Sequence, residues 1–187
     1  MVLVKKIDGG AVLGISNSRA LVDMSTRDLS LDSNTPLWKP RGTGDCYVCM
    51  DSISLTADVL RYSDGVFNDA TNVKSILKSV IPKMKAVLNA HGLLLTENRW
   101  DGPLFIITPQ KIFKISNYFT VSEVEDCGAD GFSYYLTGAM AEAKGHEPEK
   151  AVAFAYETMG RMLNVNPFPL IIFNTKTKKR KILRRSL

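Results

Sequence analysis

The sequence predicts an α+β domain built from layers of antiparallel hairpins and paired helices. Short apolar runs occur in pairs around tight turns, as on either side of Asp8-Gly9-Gly10 and of Pro109-Gln110. A longer stretch, residues 73–88, repeats its apolar side chains at the three-to-four spacing of a helix buried on one face. The order is hairpin, two helices, hairpin, two helices, strands, which keeps antiparallel strands apart from helices and argues against alternating βαβ units. A chain of 187 residues is long enough for one domain with a real core, since a domain near this size buries roughly 70% of the surface its unfolded chain exposes. The expected division is a single domain over residues 1–174 and a basic C-terminal strand or tail over 175–187.

Val2 to Ile7 and Ala11 to Ile15 read as two short strands, with glycines at the turn to supply positive φ. Leu29 to Gly44 is rich in Ser, Asp, Asn, Pro and Gly and reads as mostly loop; Cys46 to Met50 returns as a buried strand. Asp51 or Ser52 is placed to cap a helix running to about Tyr62. The next helix starts near Thr71 or Asn72 and ends at Gly92, with a kink expected at Pro82, where a backbone donor is missing. Leu104 to Thr108 and Ile112 to Ile115 form the second hairpin. Glu123 to Cys127 is the next strand, followed by a turn over residues 128–131. A helix from about Phe132 to Ala143 stops at Gly145, and Pro148 suits the first turn of a helix reaching Leu163. Leu170 to Asn174 and Lys179 to Leu183 read as strands.

Composition excludes several functional classes. Apolar residues at 45% and charged residues at 23% are ordinary globular values, which rules out disordered and fibrous chains. Only four residues precede the first lysine and no apolar run approaches the roughly 20 residues of a membrane span, so a soluble cytoplasmic protein without membrane contact is expected. The net charge of +5 belongs to the tail: residues 175–187 hold seven of the 24 Lys and Arg and no acid, leaving 17 basic against 19 acidic residues elsewhere. Lys and Arg over residues 176–185 are able to contact nucleic-acid phosphate. With no aromatic residue for base stacking after Phe173, the basic strand fits a solvated sheet edge better. Cys46 and Cys49 have CxxC spacing, but alternation along a strand points them to opposite faces, as buried structural thiols and not as a redox pair. His91 and His146 sit at helix ends. With no third histidine, no metal or other cofactor is expected.

The run GAVLGISNSRALVDM, in which an apolar strand leads to Asn17-Ser18-Arg19-Ala20, resembles the second-strand motif of proteasome β subunits and the heat-shock-locus V (HslV) peptidase, where the same place reads Asp-Ser-Arg-Ala. The resemblance continues through Cys46 to Ala57, with the pair Ala57-Asp58, and through the segment from Pro103 to Ala143. It implies the four-layer αββα sandwich of the N-terminal-nucleophile hydrolases and a homo-oligomer. In that family the first residue supplies the nucleophile and its own α-amino group the base. The resemblance places Met1 there, and neither Met1 nor Val2 carries an ionisable side chain.

Further departures follow from the same resemblance. Asn17 stands for the family's aspartate and lacks its charge. Lys39 is the nearest match to the lysine that tunes the amine, with a solvated loop lysine as the plain alternative. Asp130, in Ala129-Asp130-Gly131, replaces the serine of a Gly-Ser-Gly turn and is suited to capping the next helix. Arg19 and Ser18 are expected to hold neighbouring backbone by hydrogen bonds. The expectation is a degenerate site (Met1, Asn17, Arg19, Lys39, Asp130) in a non-catalytic subunit that self-assembles or binds another protein. The enzymatic alternative is a serine- or threonine-type amide hydrolase with a displaced nucleophile, its participants drawn from Ser16, Ser18, Thr43 and Asp130.

Overall fold

The chain is seen in a computed structural model that describes residues 2–16, 37–50, 54–96, 99–129 and 133–184. Strands β1 (Val2–Ile7) and β2 (Gly10–Ser16) turn on Gly9, whose φ of 75° lies in the left-handed region that glycine enters at no steric cost. Within the stretch read as loop, Leu37–Trp38 form a short strand, β3, that pairs with β4 (Tyr47–Met50). Helix α1 (Leu55–Tyr62) is capped by Ser54, whose side chain accepts from the Ala57 N–H; the cap expected at Asp51 or Ser52 lies outside the described residues.

The long helical stretch is divided. Asn72 opens α2 (Val73–Ser75) with a reciprocal capping box to Ser75. A π turn over Ile76–Val80 follows, then α3 (Ile81–Ala90). The irregularity expected at Pro82 is this wider turn on its N-terminal side, where the Ile81 N–H reaches back five residues to the Ile76 carbonyl. Pro82 itself sits in the first turn of α3, where its missing donor costs little.

A small hairpin, β5 (Leu94–Thr96) and β6 (Arg99–Trp100), leads to β7 (Leu104–Ile107) and β8 (Ile112–Ile115). The segment read as one strand near Glu123 is two, β9 (Val121–Val124) and β10 (Cys127–Ala129), which belong to different sheets. Helices α4 (Ser133–Glu142) and α5 (Pro148–Leu163) precede β11 (Leu170–Asn174) and β12 (Lys179–Leu183). The basic segment expected as a strand or tail therefore includes a paired edge strand, with Lys179 and Lys181 exposed along it.

The chain divides into two units, residues 1–30 with 124–187, and residues 31–123. In the first, the sheet runs β10-β1-β2-β11-β12, with each pairing antiparallel. One face, carrying Leu3, Val12, Leu170 and Ile172, packs with Leu136 of α4 and Val152, Tyr156 and Met159 of α5. In the second, the sheet runs β3-β4-β7-β8-β9. Its Val48, Met50, Ile106 and Phe113 pack with Leu60 of α1, Val80 of the π turn, and Met84 and Leu88 of α3.

In each unit the opposite sheet face is buried as well, at Val4, Leu13 and Phe173 in the first and at Cys49, Phe105 and Ile107 in the second. Burial on both faces explains why these strands read as continuous apolar runs rather than as alternating ones. Each such Leu, Ile or Val side chain contributes roughly 1.5–3 kcal/mol relative to exposure. Among the described residues no helix is long and apolar enough to cross a membrane.

Candidate functional site at one end of the first sheet

Strand register brings four chain segments to one end of the first sheet. Val2 pairs with Ile15, Leu3 with Ala129, and Ser16 with Leu170, so the start of β1, the ends of β2 and β10 and the start of β11 lie together. Met1, Asn17, Ser18, Arg19 and Asp130 lie outside the described residues. In the chain, Met1 precedes Val2, Asn17 follows Ser16 and Asp130 follows Ala129.

Ser16 is 5% exposed, and its hydroxyl donates to the Pro167 carbonyl at 2.6 Å. This bond ties the sheet end to the loop leaving α5, which turns at Asn164 in the left-handed conformation. A serine nucleophile must hand its proton to a base and present its lone pair to a carbonyl carbon; Ser16 gives its proton to a peptide carbonyl within the fold. Deleting that donor leaves a buried carbonyl short of a partner, so Ser16→Ala is expected to cost about 1–3 kcal/mol, read as a lower denaturation midpoint with the slope unchanged.

Two residues inward along β2, Gly14 lies under α5. A Cβ at Gly14 would stand 2.5 Å from both Tyr156 Cε2 and Val152 Cγ1, and the Tyr156 hydroxyl donates to the Gly14 carbonyl at 2.7 Å. The place of Gly14 in the fold is this close helix-to-strand approach.

The other residues singled out belong to the second unit. Lys39 pairs with Asp45 at 3.4 Å, both about half exposed, at the turn joining β3 and β4. Thr43, in the same turn, donates from its hydroxyl to the Pro40 carbonyl at 2.8 Å. Cys46 packs with Val48 and Met50 in the helix-facing core and Cys49 lies outside that cluster, as strand alternation requires. Neither cysteine is in a disulfide. Among the described residues no group of three or more His, Cys, Asp or Glu side chains is placed to hold a metal ion.

Burial pushes the Cys46 thiol up to about 11, against smaller opposing effects of a hydrogen bond with Thr43 and the charge of Lys39. The unfolded thiol ionises from its ordinary value of 9.0 while the folded one keeps its proton. Stability from this group is therefore complete below pH 9 and is lost as pH rises toward about 11, a change of up to about 2–3 kcal/mol. Cys46→Ala is expected to flatten that part of the stability curve relative to the wild type, measured by denaturant unfolding at stepped alkaline pH.

No protein-family model matches the chain, and no curated protein is significantly similar to it. Solved structures do match over nearly its whole length. BPH of Thiobacillus denitrificans, solved in complex with epoxomicin, is 17% identical, covers 98% of this chain and 97% of its own, and superposes with a TM-score of 0.64. Anbu, the ancestral beta-subunit, from Yersinia bercovieri is 13% identical over 98% of this chain and 87% of its own, at 0.60. HslV from Trypanosoma brucei is 12% identical over 98% and 99%, at 0.57. At these identities the likeness establishes the fold: α+β, of the proteasome-like N-terminal-nucleophile hydrolase class.

Proposed function

We propose that this chain, with its proteasome-like fold, is a subunit without the N-terminal nucleophile that acts as a non-catalytic module, assembling with copies of itself or binding another protein. The observation that carries the reading is the start of β1. The strand begins at Val2, and no Ser, Thr or Cys occurs before Ser16. Whatever precedes Met1 in the mature protein, cleavage at the head of β1 exposes Met1 or Val2, and neither side chain attacks a carbonyl. Cleavage before Thr43 would remove the β1–β2 hairpin altogether. Ser16, the first hydroxyl in the sequence, is buried and bonded to Pro167.

Self-assembly is supported by large apolar side chains left exposed on helices, Leu55 on α1, Leu77 in the π turn and Met162 on α5. The test has two arms. Epoxomicin, the ligand of the Thiobacillus protein, is expected to leave the intact mass unchanged and peptide substrates uncleaved. Sedimentation is expected to show species heavier than the 20.7 kDa chain, or a stable complex with a protein from the native cell. A covalent adduct, or turnover that survives rigorous purification, would overturn the non-catalytic reading. A strict monomer without any protein partner would overturn the assembly reading.

A further inference from the structure

We propose that the first unit carries a binding site for an amphiphilic anion, an unbranched aliphatic chain that ends in one oxyanion headgroup, carboxylate or phosphate. A cavity of about 550 Å³ lies between the first half of α5, the ends of β1 and β11 and the edge strand β12. Its size is that of a small-molecule pocket. Ile7, Asn174 and Lys176 line it, which places it toward the β1–β2 turn, at the opposite end of the sheet from Ser16.

The walls divide by chemistry. Ala153, Ile172 and Leu183 belong to the core cluster under α5 and Ile7 packs against it, so the inner wall of the cavity continues that core. Such a wall takes methylene groups in preference to water. The same cavity is lined by Lys150 of α5, Lys181 of β12 and Lys176 of the turn that joins β11 to β12. Lysine suits a place of this kind, because its aliphatic stem extends an apolar surface while its ammonium group stays in water.

Three carboxylates also line the cavity, and what each already holds decides the charge of the ligand. Glu149 accepts from the Asn174 side-chain amide at 3.2 Å. Asp8 is fully exposed and stands 3.6 Å from the Lys176 ammonium, longer than a charge-assisted hydrogen bond. Glu147 is exposed and makes no ion pair among the described residues. Lys150 and Lys181 are likewise exposed and make none, one on the helix wall and one on the sheet wall. Two cations without a carboxylate stand against one acid without a cation, so the unspent charge around an apolar cleft is positive. A chain laid on Ile172 and Leu183 with its headgroup toward Lys150 and Lys181 uses both parts of the cavity, and Lys176 adds long-range attraction.

The test reads the inner wall. In a sample labelled at isoleucine methyl groups, Ile7→Val and Ile172→Val assign the two signals that face the ligand, and Ile115→Val assigns a reference in the second unit, where Ile115 is buried in the other core. Octanoate and octyl phosphate, titrated to about 10 mM, separate the carboxylate from the phosphate source. Acetate carries the charge without the chain, and octylammonium the chain with the opposite charge. The expected result is a saturable shift of Ile7 and Ile172 with at least one octyl anion, no shift of Ile115, no saturation with acetate, and weaker binding of octylammonium. Shortening octanoate to hexanoate is expected to weaken binding about tenfold, the effect of two buried methylenes. The pair Lys150→Gln/Lys181→Gln, whose side chains are exposed enough to spare the fold, is expected to weaken binding about threefold or more and to reduce its salt dependence. Unmoved Ile7 and Ile172 signals, octylammonium bound as tightly as the anions, no dependence on chain length, or full affinity in the double variant would overturn the proposal.

Discussion

Tyr156→Ala is expected to destabilise the first unit by about 3–5 kcal/mol, the range for removing a large aromatic side chain from a core. Tyr156 is fully buried on α5 and packs in the cluster that joins α5 to β1, β2 and β11. Its hydroxyl also satisfies the Gly14 carbonyl. The alanine variant therefore loses apolar contact, opens a cavity and removes a hydrogen bond in one change. Tyr156→Phe separates these effects: it keeps the ring and is expected to cost about 1 kcal/mol, the net worth of the bond. Gly14→Ala forces a methyl against the same ring and is expected to cost about 1–3 kcal/mol. In the Tyr156→Ala background that penalty should shrink without vanishing, because Val152 Cγ1 remains equally close. Urea unfolding of the four variants gives the cycle. Additive penalties would show that the Tyr156 ring does not press on β2 at this point.

Trp100→Ala is the counterpart in the second unit, with an expected loss of about 3–5 kcal/mol. Trp100 is 1% exposed and fastens the turn after β8: its indole donates to the Ser116 carbonyl at 2.8 Å and its backbone N–H to the Asn117 carbonyl at 3.1 Å. Its ring stacks on Phe119 at 5.7 Å. Phe119 has a φ of 61°, which a bulky residue adopts only when its surroundings compensate. The ring also fills the space over Gly102, where a Cβ would lie 2.4 Å from Trp100 Cζ2. Removing the ring releases the turn as well as emptying the core. Amide exchange at residues 116–120 is accordingly expected to accelerate in Trp100→Phe, which keeps most of the volume but loses the indole donor. Unchanged protection there would contradict the assigned role.

Most of the fold was legible wherever local chemistry marks an element's ends. Helix α5 and strands β11 and β12 appear with the bounds read from the sequence, because Pro148 fixes the first turn of α5 and two apolar or basic runs flank a polar turn at residues 175–178. The Asp8-Gly9-Gly10 hairpin was equally clear. Strand β3, only Leu37–Trp38 amid loop-forming residues, carries too little pattern to be seen, and its partner β4 supplies the pairing. Strands β9 and β10 merge in sequence because two residues separate them, although they join different sheets. The π turn is hidden because the apolar spacing continues across it.

The candidate site was legible only in part. Apolar runs locate the ends of β1 and β2, and with them the place to which the proposed loss of the nucleophile refers. The groups that support that end come from far along the chain: Tyr156 bonds Gly14 across 142 residues and Pro167 bonds Ser16 across 151. No local pattern encodes such contacts.

The most direct measurement is the identity of the first residue of the mature protein, obtained by mass analysis of its N-terminal peptide from the native source. An N-terminal residue other than serine, threonine or cysteine is the predicted result. A mature chain that begins with one of those three, keeps β1 and β2, and is modified there by a reagent selective for N-terminal nucleophiles would contradict the account.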